Sequence, residues 1–98
     1  LYISRMERRW GVRGFEWDDG NEEHIAEHGV TPSEAEEVFR GRIYLKRSRW
    51  GRYFVLGQSG TGRYLALAVE RKEDGIVRVI SARDMSGHER RLHRNRRK

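Results

Sequence analysis

The residues best suited to chemistry lie in the last third of the chain, where a strand-like segment leads into a basic, helix-like one. Arg83 closes the strand-like segment 76–83. One face of the next segment has helical spacing and carries Glu89, Leu92, His93 and Arg96. Cleavage of RNA by its own 2′-hydroxyl needs a base, cations that stabilise the phosphorane, and an acid for the leaving oxygen. An imidazole titrates near neutral pH, so His93 is a candidate for proton transfer.

Cations at the ends of the predicted strands could bind the phosphates of a nucleic acid. They are Lys46, Arg52, Arg63, Arg78 and Arg83. By simple alternation, Arg83 shares a strand face with Val77, Val79 and Ser81. In the catalytic hypothesis Arg83 and Arg63 hold the scissile phosphate, and His93 transfers protons without a metal. Glu89 is then a candidate acid, and the flanking RNA is bound by Lys46, Arg52, Arg78 and Arg90.

Each of these residues also has a structural interpretation that the sequence leaves open. Arg83 can simply pair with Asp84 or Glu89. Glu89 lies three residues after Ser86, which is the spacing of a capping box, and there it would accept a backbone N–H. His93 can be an ordinary exposed helix residue.

Histidine and aromatic side chains elsewhere suggest weaker alternatives. His24 and His28 are spaced like a metal-binding pair, but the sequence shows neither the HExxH order nor an obvious third ligand. We therefore expect no metal and no cofactor. Trp50, Tyr53 and Tyr64 lie beside basic residues and could stack on bases, although half-buried sheet aromatics are the commoner explanation.

Length and composition narrow the class of protein. Ninety-eight residues suffice for one domain, and 36% apolar against 37% charged residues make its core thin. The sequence contains no cysteine, which excludes disulfides and thiolate chemistry and suits a reducing compartment, so we expect the cytoplasm. No apolar run approaches the roughly 18 residues of a membrane span.

Charge is segregated along the chain. Residues 16–37 contain nine Asp/Glu and no Lys or Arg, whereas residues 38–98 contain seventeen Lys/Arg and five Asp/Glu, a net charge of +12. A solvated surface is the simpler explanation of many charges. Segregation of this kind nevertheless predicts a basic face that is free to bind a polyanion such as nucleic acid.

The spacing of apolar residues predicts the elements that position these side chains. A strand at 15–17 precedes two helices, which start at Asp18 or Asp19 and at the capping box of Thr31 and Glu34. Four strands with glycine-containing turns follow at 43–48, 52–58, 63–71 and 76–83, and Ser86 opens the last helix. The predicted fold class is α+β: a short N-terminal strand, two helices, a four-stranded antiparallel meander and a C-terminal helix.

The last predicted helix has little apolar surface. Leu92 is its apolar member, and burial of one leucine stabilises by roughly 1.5–3 kcal/mol. That is small against the entropy of ordering about ten residues. We therefore expect this helix either to pack loosely at the edge of the sheet or to be held by a partner.

Three groups of residues have the order and spacing of a known family. They are FEWD (15–18), NEEHIAEHGV (21–30) and TPSEAEEV (31–38); RYFVLG (52–57) and GRYL (62–65); and VISARDM (79–85) followed by ER (89–90). Together they resemble the BrnT family of bacterial type II toxins. The resemblance covers about residues 15–94, so we expect an N-terminal extension at 1–14, the toxin domain at 15–94 and a basic tail at 95–98.

The resemblance implies a RelE/ParE-like fold and a metal-independent endoribonuclease that inhibits translation. It also implies a BrnA-like antitoxin, whose DNA-binding part contacts the operator of the shared operon. By position, Arg83 is the arginine of the family's S-A-R segment, Arg63 opens the penultimate strand, and Glu89 is the acid of the last helix. The family usually has Tyr at the position of His93, and either side chain can act as an acid or base.

Two other functions fit the same residues. One is a nucleic-acid-binding module without catalysis, which would bind RNA or DNA in a salt-dependent way and leave it intact. The other is a toxin that acts on a protein such as a topoisomerase, because the ParE branch shares the implied fold.

Overall fold

A computed structural model of the chain describes residues 11–95, which form a mixed sheet covered by helices. The elements are β1 (Gly14–Glu16), α1 (Asp19–Ala26), α2 (Pro32–Val38), β2 (Tyr44–Arg47), β3 (Arg52–Gln58), β4 (Tyr64–Arg71), a 3-10 turn (Glu73–Gly75), β5 (Ile76–Asp84) and α3 (Gly87–Asn95). The predicted α+β class is confirmed. Residues 1–10 of the predicted extension and residues 96–98 of the predicted tail lie outside the described residues.

The described strands form one sheet in the order β1-β5-β4-β3-β2. Strands β2 to β5 are successive antiparallel neighbours. Strand β1 pairs in parallel with β5, with Gly14 opposite Ile76. The sequence predicted the short strand but not this pairing, because β1 is brief and two helices and three strands separate it from β5 along the chain. Val12 also packs against the core, so part of the predicted extension contacts the domain.

The helices begin where their capping residues predict. Asp18 accepts the backbone N–H of Asn21 at 3.2 Å, and the Asn21 side chain accepts the N–H of Asp18 at 2.8 Å. Thr31 and Glu34 form the same reciprocal pair at the start of α2. Helix α1 ends at Ala26, and the chain then turns through Gly29 at φ 71°.

Apolar side chains pack on both faces of the sheet. On the face covered by α1 and α2, the main core contains Ile25 and Val38 of the helices against Val55, Leu67 and Val79 of the strands. A smaller cluster on the opposite face contains Leu56, Ala66 and Met85, with Tyr44, Phe54, Tyr64 and Leu92 packed against it. Because Leu92 belongs to α3, we call this second side the α3 face.

A β-bulge in β5 corrects the predicted position of Arg83. Val79 pairs with Val69, whereas Ser81 pairs with Ala68, so Ile80 is an extra residue in the ladder. The alternation therefore reverses after Val79. Arg83 lies opposite Ala66 on the α3 face, not on the face of Val77 and Val79.

The segregation of charge along the sequence is kept in part between the two sides of the sheet, although Arg63 lies on the side of α1 and α2. The acidic stretch 16–37 forms α1 and α2 on one side. By strand pairing, the predicted cations Lys46, Arg52, Arg78 and Arg83 lie on the α3 face. Among the described residues, no helix is both long enough and apolar enough to cross a bilayer.

Candidate active site

A basic pocket of about 180 Å³ lies between α3 and the adjoining strand ends. Its walls are Arg42, Gln58, Tyr64, Arg90, His93 and Arg94. Three arginines thus surround one phenol and one imidazole. Arginines bind phosphate oxygens through planar, permanently charged donors, and His and Tyr can both move protons, so this pocket combines the groups that phosphoryl transfer requires.

His93 is held in the pocket by its own polar contact. Its Nε2 atom lies 3.2 Å from the carbonyl oxygen of Arg42. A carbonyl oxygen can only accept, so this contact places a proton on Nε2 and leaves Nδ1 as the basic atom of the neutral ring. The ring also meets Tyr64 edge-on, with centroids 6.2 Å apart. His93 is therefore half-buried and oriented, unlike an ordinary exposed helix residue.

Arg90 and Tyr64 form a second fixed pair. The guanidinium carbon of Arg90 lies 4.0 Å from the centroid of the Tyr64 ring, which is close cation–π stacking. Stacking occupies the face of the guanidinium and leaves its in-plane N–H groups able to donate to an anion. Tyr64 thus connects Arg90 and His93, which lie one turn apart on α3.

Arg83 and Glu89 form a bidentate ion pair at the start of α3. The two Arg83 terminal nitrogens donate to the Glu89 carboxylate at 2.7 and 2.8 Å, and the Ser86 backbone N–H donates to it at 2.9 Å. This pairing lowers the pKa of Glu89 from its usual 4.5 to about 2. Glu89 is thus ionised at neutral pH and can accept but not donate a proton. The structural interpretations of both residues are confirmed, and their catalytic roles stay predictions.

Arg63 lies on the opposite face of the sheet from Tyr64 and has a different set of partners. Its five N–H donors reach the Asp84 carboxylate twice, at 2.8 and 3.2 Å, the carbonyl oxygens of Gly29 and His28 at 2.7 and 3.1 Å, and Glu34 at 3.2 Å. These contacts tie β4 to β5, α2 and the turn after α1. A phosphate would have to displace them, so the prediction that Arg63 holds the scissile phosphate gains no support from its surroundings.

The four predicted RNA-binding residues are distributed over the α3 face. Arg90 lines the pocket, and Lys46 and Arg52 are exposed on β2 and β3. Arg78 instead donates to both oxygens of Asp18 at 2.9 and 3.3 Å, and a further contact of 3.6 Å joins it to Glu16. The exposed cations Lys46 and Arg52 therefore lie on the half of the α3 face that is nearer β2, whereas Arg78 is paired with acidic residues.

Sequence reasoning missed Arg42, Gln58 and Arg94 as members of the site. Arg94 follows Arg90 by one helical turn, a spacing that could have identified it. Arg42 precedes β2 and Gln58 ends β3, and no motif marks either position. In residues 11–95, no three His, Asp or Glu side chains lie together as metal ligands would.

Comparisons with known proteins identify a family from the sequence and a similar fold from the structure. The family model described as "Ribonuclease toxin, BrnT, of type II toxin-antitoxin system" matches residues 17–89. The crystal structure of the Brucella abortus ribonuclease toxin BrnT matches with a TM-score of 0.61 and 20% sequence identity, covering 74% of this chain and 96% of that one. At this identity, the structural likeness shows the fold alone. A comparison with curated proteins found no match.

Proposed function

The chain belongs to the BrnT family of ribonuclease toxins of type II toxin–antitoxin systems, and from this membership we propose that it is a metal-independent endoribonuclease that inhibits translation. The proposed active site is the basic pocket beside α3. The fold is proposed to be of the RelE/ParE type, and the site of action to be the cytoplasm.

The observation that carries the proposal is the joint placement of His93, Tyr64 and three arginines around one pocket. Nδ1 of His93 would take the proton of the 2′-hydroxyl, since Nε2 is bonded to the Arg42 carbonyl. Arg90 and the other arginines of the pocket would stabilise the phosphorane in place of a metal ion. Tyr64 or the resulting imidazolium would protonate the leaving oxygen.

The remaining predicted residues take supporting roles in this proposal. Arg83 and Glu89 position α3 through their ion pair, and the 46% exposure of the Arg83 side chain leaves it able to contact the scissile phosphate. Lys46 and Arg52 would bind RNA that continues across the α3 face. Arg83→Ala should therefore reduce cleavage by about 10²-fold, as expected when a charge partner of the transition state is lost.

The direct test is incubation of end-labelled RNA with purified protein, with and without EDTA. EDTA-resistant fragments ending in 2′,3′-cyclic phosphate are the expected products. His93→Gln should lower the rate by about 10²-fold or more, the usual contribution of a general base, without changing the fold. His24→Gln, an exposed histidine of α1, is the matched control.

Other outcomes of this experiment would point to the alternatives. Salt-dependent binding of RNA that stays intact would favour a non-catalytic binding module. Absence of both binding and cleavage, with toxicity retained in cells, would favour a protein target. Full activity in His93→Gln would remove His93 from the mechanism.

Membership of a type II toxin–antitoxin family also implies a protein partner, the antitoxin. We infer that a BrnA-like antitoxin neutralises the chain by covering the α3 face with an acidic segment, and that its DNA-binding part contacts operator DNA. Two features support binding of an acidic segment here. The α3 face is basic, and helix α3 contains no buried residue and has little apolar surface of its own to stabilise it.

A further inference from the structure

A second cavity, of about 350 Å³, adjoins the proposed active site. It lies between the end of α2, the segment before β2 and the turn between β3 and β4. Its walls are Glu37, Arg40, Gly41, Arg42, Gln58, Ser59 and Gly60. Arg42 and Gln58 line both cavities, so a ligand whose phosphate occupies the active-site pocket could extend its next group into this space.

The polar groups of the second cavity differ from those of the first. Glu37 contributes a carboxylate, which is oriented by a 2.8 Å hydrogen bond from the backbone N–H of Gly60 to Oε1. Arg40 and Arg42 contribute exposed guanidinium groups. The Ser59 hydroxyl is already paired with Thr61 at 3.1 Å. The cavity therefore combines a fixed acceptor with strong donors.

A carboxylate facing donors selects among nucleobases. Guanine offers two adjacent donors, N1–H and the 2-amino group, to one carboxylate, and two acceptors, O6 and N7, to arginine. Adenine and cytosine offer an amino group beside an unprotonated ring nitrogen, which a carboxylate repels. Uracil offers a single ring N–H between two carbonyl oxygens. Guanine alone matches both kinds of group in this cavity.

We propose that the second cavity is a guanine-binding subsite, in which Glu37 reads the N1–H and 2-amino edge and Arg40 or Arg42 reads O6 and N7. The proposal rests on the proposed nuclease function for its biological meaning. The nucleotide bound there would be next to the scissile phosphate, so the enzyme would cleave RNA beside guanine.

Binding of mononucleotides tests the subsite without relying on catalysis. Guanosine and adenosine monophosphates, with the phosphate on either the 3′ or the 5′ oxygen, would be titrated into the protein while the amide signals of Gly41 and Gly60 are followed by NMR. We expect one of the guanosine isomers to bind about tenfold more tightly than its adenosine counterpart, within the discrimination of one bidentate base contact.

Substitution of Glu37 tests the residue that carries the selectivity. Glu37→Gln keeps the size and one acceptor oxygen, and it should bring the two affinities to within about twofold by weakening only the guanosine nucleotide. Glu23→Gln, the same change at an exposed site on α1, should leave the preference intact. Equal affinities in the natural protein, or an unchanged preference in Glu37→Gln, would overturn the subsite.

Cleavage of short RNAs separates the subsite from the proposed nuclease function. RNAs with one guanosine are compared with the same RNAs carrying inosine, which lacks the 2-amino group. Slower cleavage beside inosine supports the subsite, and equal cleavage beside all bases overturns it while leaving the nuclease. Guanine-selective binding without any cleavage would support the subsite and overturn the nuclease.

Discussion

Arg63 is a single side chain that joins three parts of the fold. All five of its donors have acceptors, and these belong to β5, α2 and the turn after α1. Neither the neighbours of Arg63 in the sequence nor its place after a glycine-rich turn distinguishes this arrangement from a phosphate clamp. A structural role for Arg63 predicts that its substitution lowers stability, whereas a phosphate-binding role predicts that it lowers activity and leaves stability unchanged.

Arg63→Ala should lower the free energy of unfolding by about 2 kcal/mol, because it leaves several acceptors without their charged donor. Arg63→Lys should recover little of this loss, since a lysine cannot reproduce the planar fork. Urea unfolding measures both. Unchanged stability combined with loss of RNA cleavage would instead support the catalytic role.

Glu89 links stability to pH. Its pKa in the folded chain is about 2, below the usual 4.5, because Arg83 stabilises the carboxylate. Its contribution is therefore complete above about pH 4.5 and is lost as pH falls toward 2. Glu89→Gln should be less stable by about 2 kcal/mol at pH 6, with allowance for the exposed side of Arg83, and the difference should close near pH 2.

Unfolding curves at several pH values measure the Glu89 effect. Asp84 has a pKa lowered by Arg63 and loses its contribution at acidic pH as well. The comparison must therefore be between the natural chain and Glu89→Gln at each pH. A difference that stays constant from pH 6 to pH 2 would rule out the ion pair as its source.

At the scale of elements, the turn between β2 and β3 has a backbone conformation that is unfavourable for Trp50. Trp50 and Gly51 both have positive φ, 56° and 72°, and the Arg52 N–H donates to the Arg49 carbonyl at 3.1 Å, as in a type I′ turn. Such turns favour Asn-Gly, whereas Trp50 is 81% exposed and packs little. A strained, exposed tryptophan beside arginines suits a stacking role.

Trp50→Asn should raise the free energy of unfolding by about 1 kcal/mol, because asparagine adopts positive φ more readily than tryptophan. If Trp50 stacks on RNA, the same variant should bind single-stranded RNA several-fold more weakly. Thermal unfolding and fluorescence titration measure the two effects. A variant that gains no stability would show that the turn is not strained, and unchanged RNA affinity would remove the stacking role.

Elements with local signals were predictable, and those that depend on distant contacts were not. Capping residues such as Asp18 and Thr31 marked the helix starts correctly because a cap needs only its own first turn. The alternation of apolar residues does not indicate the bulge at Ile80, and Arg83 was therefore assigned to the wrong face of the sheet. Only part of the site could be predicted. His93 and Arg90 lie on one helix, whereas Arg42 and Gln58 come close to them only when the sheet has folded.

At the scale of the whole molecule, the two sides of the sheet differ in charge, and this predicts how an antitoxin binds. An acidic segment should cover the α3 face and leave the acidic helices exposed. Hydrogen exchange of the complex should show added protection at residues 87–95 and in β3, with little change at 19–38. Protection confined to α1 and α2 would contradict this arrangement.

The parallel pairing of β1 with β5 determines when a growing chain can complete its fold. A nascent chain that stops at residue 75 has made β1 but not the strand that β1 pairs with. The pocket needs still more of the chain, because Arg90, His93 and Arg94 come after β5. Sheets closed by such distant segments form late. The proposed active site is therefore assembled only after α3 has been synthesised, so a nascent chain that stops before α3 has no active site.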